Sequence, residues 1–217
     1  MKEKINVGFL FDLDGVIIDS EKEYSLIWSL INKEFPSGIE SFEEKIKGTT
    51  LEHILTQYYP EKEIQEKVVK RLYDMEENME YEYKEGAKEL LKGLKDKGIS
   101  KALVTSSNNK KMNNLDRKKP ELRNFFEIII TGDMIVCSKP HPEGYLRAAR
   151  MLGCNPKNCV VFEDSLQGVK AGYNSGAYVV GIEGTLKGET LKPFSHTVVN
   201  TLAGFDIEEM MSILNSR

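Results

Sequence analysis

An α/β chain built on a doubly wound parallel sheet, with an α-helical module inserted after the first strand, is predicted by three observations. Short β-branched apolar runs recur along the 217 residues, and segments with helical spacing separate most of them. One stretch, from about residue 20 to residue 85, has helical spacing alone. Alternating strands and helices make a parallel sheet covered on both faces, in which ligands sit beyond the C-terminal ends of the strands.

Residues 5–11 form the first apolar run, which ends abruptly in Asp12-Leu13-Asp14-Gly15. Near-continuous apolarity, without alternation, is what a strand buried on both faces requires. Three helical stripes follow: Tyr24, Ile27, Trp28, Ile31 and Phe35; then Leu51, Ile54, Leu55 and Tyr58; then Ile64, Val68, Leu72, Met75 and Met79. They read as the core faces of an inserted helical module. Residues 61–85 carry nine acids against five bases and read as a solvated face. Ala87, Leu90, Leu91 and Leu94, closed by Gly98, mark the next helix, and residues 101–105 the second strand. The basic cluster Lys110, Lys111, Arg117, Lys118, Lys119 and Arg123, diluted by Asp116 and Glu121, reads as a solvated helix face. Residues 126–131, 159–163 and 177–182 are further strands, and 196–199 a weaker one. Helices ending at Gly153 and Gly176 lie between them. The division is a core of residues 1–19 and 86–217 around an insert of residues 20–85.

Hydrophobic residues at 40% and charged ones at 29% are ordinary globular usage, which excludes a disordered or fibrous chain. Thirty bases against thirty-four acids leave a net charge of -4, no electrostatic footprint for nucleic acid. Cys137, Cys154 and Cys159 are odd in number and form no CxxC pair, so they read as free thiols packed as small hydrophobes in a reducing compartment. The run Val7 to Phe11 is too short for a signal-peptide core, and no stretch reaches the roughly 18 apolar residues of a membrane span. The expectation is a soluble cytoplasmic protein. His53, His141 and His196 are given no role.

The chemistry concentrates at strand ends. Two carboxylates, Asp12 and Asp14, would face the ligand crevice, where charge needs a use or a partner. A calcium loop is excluded, because Val16, Ile17 and Ile18 stand where oxygen ligands are needed. Thr105-Ser106-Ser107-Asn108 offers hydroxyls and backbone N–H groups to an oxyanion. Lys139 lies in a proline-stiffened turn, Ser138-Lys139-Pro140-His141-Pro142, and Glu163-Asp164-Ser165 ends another strand. Each signal alone is weak: a strand-end turn, a cap or a surface lysine explains it. Together they describe phosphoryl transfer. Carboxylates hold Mg²⁺, a lysine and N–H donors neutralise the phosphoryl oxygens, and one carboxylate attacks while another protonates the leaving oxygen.

These motifs, in this order and with a helical insert between the first two, resemble the haloacid dehalogenase superfamily over nearly the whole chain. The stretch Asp12 to Ser20, Lys139-Pro140-His141-Pro142 and Phe162-Glu163-Asp164-Ser165-Leu166-Gln167-Gly168-Val169 are similar to its β-phosphoglucomutase-like branch of sugar-phosphate phosphatases and mutases. The resemblance implies a Rossmann-like core with a helical cap. It implies Asp12 as the nucleophile that becomes an aspartyl-phosphate, and Asp14 as general acid and base. Asp12, the backbone carbonyl of Asp14, and Asp164 would bind Mg²⁺, with Glu163 supporting through water. Thr105 would hydrogen-bond the phosphoryl group and Lys139 would hold it to the nucleophile. Ser106, Ser107 and Asn108, together with Glu21 and the Lys47-Gly48 cap loop, would contact substrate.

Asp14 itself argues for phosphoryl over carbon-halogen chemistry, since true dehalogenases lack an aspartate there. Two departures separate the chain from the mutases. Leu51 stands where they carry an Arg that grips a distal phosphate, and Tyr24 where they carry a His. Without that bidentate anchor, water is the expected phosphoryl acceptor. The expected protein is a Mg²⁺-dependent phosphatase of small phosphorylated metabolites, sugar or polyol phosphates, monomeric and without nucleic-acid or membrane partners; the alternative is a β-phosphoglucomutase-type mutase. A catalytically idle metabolite sensor fits less well, because every catalytic position is filled.

Overall fold

The computed structural model describes residues 6–184 and 186–217. Six strands, β1 (Gly8–Phe11), β2 (Ser100–Val104), β3 (Ile128–Ile130), β4 (Cys159–Glu163), β5 (Tyr178–Ile182) and β6 (Thr197–Val199), form one sheet in the order β3-β2-β1-β4-β5-β6. Every neighbouring pair is parallel. The order reverses between β1 and its neighbours β2 and β4, which places the crevice of a doubly wound sheet at the end of β1.

Burial on both sides explains the unbroken apolarity of the central strands. On one face Phe9, Phe11 and Phe162 pack together, with the Phe11 and Phe162 rings stacked at 4.6 Å between centroids. Helices α5 (Ala87–Asp96), α6 (Asn109–Lys118) and α9 (Ile207–Asn215) contribute to that layer through Leu91, Met112 and Leu214. On the other face, Leu10 and Val161 pack with Tyr145 and Ala149 of α7 (Glu143–Met151) and Val169 of α8 (Leu166–Asn174).

Between β1 and α5 the chain forms α1 (Glu21–Glu34), α2 (Phe42–Lys45), α3 (Leu51–Tyr58) and α4 (Lys62–Glu76). Their apolar stripes converge: the ring of buried Phe42 meets those of Trp28, Tyr58 and Tyr59 edge-on. The chain enters and leaves this helical insert along two segments that pair antiparallel at Ile18 and Tyr83. Asp19 N–H donates to the Glu82 carbonyl at 2.8 Å, and Lys84 N–H to that of Ile17 at 2.9 Å. No helix among the described residues is long and apolar enough to cross a membrane.

Candidate active site

Asp12 follows the last residue of β1 and donates its backbone N–H to the Phe162 carbonyl at 3.0 Å, so the sheet's register holds it at the crevice. Glu163 ends β4 beside it, and Asp164 follows. Carboxylate oxygens of Asp12, Glu163 and Asp164 lie within 4.8 Å of one another, and all three residues are buried. Lys139 Nζ enters this cluster from the opposite loop, 2.6 Å from Asp12 Oδ1 and 2.5 Å from Glu163 Oε1. Tyr145 donates its hydroxyl to the same Glu163 oxygen at 2.6 Å. Two glycines permit this crowding. A Cβ on Gly15, whose φ is +76°, would lie 2.0 Å from an Asp164 oxygen, and one on Gly168 would lie 1.9 Å from the Glu163 carboxyl.

The electrostatics follow from burial. Loss of water, reinforced by the Glu163 and Asp14 charges and opposed by Lys139, pushes Asp12 up to about 8. Burial and the charges of Glu21, Glu163 and Asp12 raise Asp164 well above the usual carboxylate range. Lys139 is driven the other way: burial disfavours its charge, but Asp12 and Glu163 outweigh that and raise it. One ammonium among three buried carboxylates leaves the cluster short of positive charge. The all-oxygen donor set suits a hard divalent cation such as Mg²⁺.

Asp14 points elsewhere. Its Oδ2 accepts from Lys111 Nζ at 2.6 Å and from the Ser107 hydroxyl at 3.1 Å, while Ser20 donates to Oδ1. Burial alone would raise its pKa; Lys111 and these hydrogen bonds bring it below the ordinary value instead.

The loop after β2 meets the insert. Thr105 is buried and accepts the Ser107 N–H at 3.0 Å; Ser106 donates its hydroxyl to the Gly48 carbonyl at 2.7 Å. Asn108 caps α6 by accepting the Lys111 N–H at 2.9 Å. Lys47 pairs with Glu21 at 2.8 Å. On the far side of this loop, Thr50 N–H donates to Ser138 Oγ at 3.0 Å. Thus Glu21, Lys47, Gly48, Ser106, Ser107 and Asn108 line one cavity with Asp12, Asp14, Thr105 and Asp164, closed over by the insert. Lys139 and Glu163 are not part of its lining.

Two expectations are corrected. Lys111 belongs to the basic cluster read as a solvated face, yet it is 6% exposed, ion-paired to Asp14 and set over the Tyr24 ring at 3.9 Å. Glu76 belongs to the acidic stretch read the same way, yet it is 5% exposed, lines the cavity and accepts the Tyr24 hydroxyl at 2.7 Å. Helical spacing carried the signal for both. Lys111 shares a face with Leu115, and Glu76 stands one turn beyond Leu72 and two beyond Val68. Of the cysteines, Cys154 and Cys159 are buried as expected and Cys137 is exposed.

The profile of haloacid dehalogenase-like hydrolases matches residues 9–182, which span β1 to β5 and every residue of the site. The chain belongs to that family. Among curated members, it is 31% identical over 175 residues to a phosphorylated carbohydrates phosphatase of Thermotoga maritima, covering 77% of this chain and 80% of that one. It is 29% identical over 187 residues to hexitol phosphatase A of Escherichia coli, covering 81% and 82%. Among solved structures, a β-phosphoglucomutase from Clostridium difficile superimposes with a TM-score of 0.79 at 25% identity, covering 98% of each chain. The all-parallel sheet with flanking helices is the Rossmann-like fold of this family.

Proposed function

We propose that this haloacid dehalogenase-like hydrolase is a Mg²⁺-dependent phosphatase of sugar or polyol monophosphates that works through an aspartyl-phosphate. The observation that carries the reading is the Lys139 ammonium bridging Asp12 and Glu163 at a strand-end crevice, with Asp14 held apart from it. Asp12, the only one of the two loop aspartates in the carboxylate cluster, is the nucleophile. It attacks phosphorus and the ester oxygen leaves with a proton from Asp14, which must first give up its Lys111 partner and take that proton from solvent; Asp14 then takes a proton from the water that opens the aspartyl-phosphate. Lys139 and the hydroxyl of Thr105 hold the phosphoryl oxygens. Asp12, Asp164 and the Asp14 carbonyl would hold Mg²⁺, steadied by Glu163, and when bound it supplies positive charge to the phosphoryl oxygens. The insert acts as the cap, excluding water and meeting the leaving group.

Structural likeness to a β-phosphoglucomutase favours a second reading, a sugar-phosphate mutase. Against it, no Arg lines the cavity among the described residues, and its two lysines, Lys47 and Lys111, are already ion-paired. A distal phosphate therefore lacks the anchor needed while a bisphosphate turns around. The test is phosphate release with Mg²⁺ across sugar, polyol and nucleotide phosphates and phosphoglycolate, beside a coupled assay for conversion of β-glucose 1-phosphate to glucose 6-phosphate. Free phosphate, abolished by Asp12→Asn, supports the phosphatase; glucose 6-phosphate without free phosphate would replace it with the mutase.

A further inference from the structure

The insert gives the cavity an apolar wall of Trp28, Leu51, Ile54 and Leu72, and Glu76 comes from the same insert. Glu76 accepts the hydroxyl of Tyr24, over whose ring Lys111 lies at 3.9 Å. Six carboxylate residues line the whole cavity: Asp12, Asp14, Glu21, Glu43, Glu76 and Asp164. The two lining lysines neutralise Asp14 and Glu21. Glu43 and Glu76 have no ion-pair partner among the described residues, and both come from the insert. Glu76 is fixed in place by the Tyr24 hydroxyl on one oxygen, and its other oxygen accepts no side-chain hydrogen bond among the described residues.

We infer that Glu76, oriented by Tyr24, determines specificity in a leaving-group subsite that takes an uncharged, hydroxyl-bearing alcohol and rejects one carrying a second phosphate or carboxylate. The inference rests on the phosphatase reading and adds a residue and a rule of selection to it. A carboxylate is acceptor-only, so it matches hydroxyl donors on a polyol or sugar. Trp28 and the aliphatic wall suit the carbon skeleton of the same molecule. A second phosphate would bring a charge of about -1.5 to -2 into a pocket whose six carboxylate residues already outnumber its two lysines. Discrimination of this kind works through the penalty on the wrong ligand as much as through contacts with the right one.

The experiment compares kcat/KM for a polyol monophosphate with that for the corresponding bisphosphate, in the wild type and in Glu76→Gln. p-Nitrophenyl phosphate serves as an activated ester that carries no second phosphate or carboxylate. Wild type should favour the monophosphate, and Glu76→Gln should lower the monophosphate-to-bisphosphate ratio at least tenfold, chiefly through a lower KM for the bisphosphate. Tyr24→Phe, which frees Glu76 to turn without changing the pocket's charge, should raise KM for the polyol ester about tenfold, the scale of one hydrogen bond to a charged group. A ratio that stays within twofold in Glu76→Gln, folded by circular dichroism, or a wild type that prefers the bisphosphate, overturns the inference while leaving the phosphatase reading in place. Failure of wild type to release phosphate from any ester, p-nitrophenyl phosphate included, overturns the phosphatase reading and this inference with it.

Discussion

Replacing Lys111 by Met removes the cation that faces Asp14 while keeping an unbranched side chain over the Tyr24 ring. In the wild type the ion pair spans 2.6 Å with side chains 7% and 20% exposed. Removing one partner of a buried pair costs about 3–5 kcal/mol, because the remaining charge stays desolvated. Asp14 keeps its hydrogen bonds from Ser20 and Ser107 and some contact with solvent, so the low end, about 3 kcal/mol, applies. For a chain of this size that corresponds to a fall in Tm of about 6–12 °C near neutral pH. The sign of the pH dependence is fixed by Asp14. Its folded pKa in the wild type lies below the ordinary value, so the stabilisation is present above the unfolded pKa and is lost only as pH falls through the lowered one. In Lys111→Met, burial acts without the offsetting cation and the folded pKa rises above the unfolded value. Protonation then relieves the variant as pH drops, and the gap in Tm between the two proteins narrows from pH 8 to pH 5. Thermal unfolding followed by circular dichroism at pH 8, 7, 6 and 5 measures it. A gap of the same size at every pH, or one below about 1 kcal/mol at pH 8, would refute the reasoning.

Other perturbations have equally definite outcomes. Mg²⁺ added to saturation should raise Tm, by about 2.7 kcal/mol of stability at a hundred times its Kd, with reversal by EDTA and loss of the effect in Asp164→Asn, read by calorimetry. Lys139→Met should lower kcat by about 10²–10³, the cost of removing one preorganised electrostatic contact, measured as phosphate release at saturating Mg²⁺. Gly168→Ala puts a Cβ 1.9 Å from the Glu163 carboxyl, so it should displace that side chain and weaken Mg²⁺ binding, seen as a higher Mg²⁺ concentration for half-maximal activity. Phe162→Ala opens a cavity where three rings pack against the sheet and should cost about 3–5 kcal/mol in urea unfolding.

The sheet was legible because a strand buried on both faces admits little but apolar residues, and the acids and lysine of the site stand out where those runs stop. Asp12, Glu163 and Asp164 announce themselves by breaking such runs. Lys111 and Glu76 do not, because each sits in a helix rich in charge, where one more charged residue carries little information. Their partners are also remote in sequence: Asp14 is 97 positions from Lys111, and Tyr24 is 52 from Glu76. Spacing could show that both side chains share an apolar face, but only the fold brings that face over the crevice. The short helix α2 escaped notice for another reason: four residues are too few for a periodic pattern to be read.

The clasp formed by residues 17–19 against 82–84 has a consequence for how such a chain can diversify. Because backbone bonds already hold the two ends of the excursion together, whatever is spliced between them meets a fixed, prepaid junction. Lengthening a flexible segment between closed ends costs only roughly 0.6 kcal/mol per doubling. The stretch that faces the alcohol can therefore be rebuilt, shortened or expanded across lineages as an interchangeable cassette, while the strand ends that handle phosphorus keep their register.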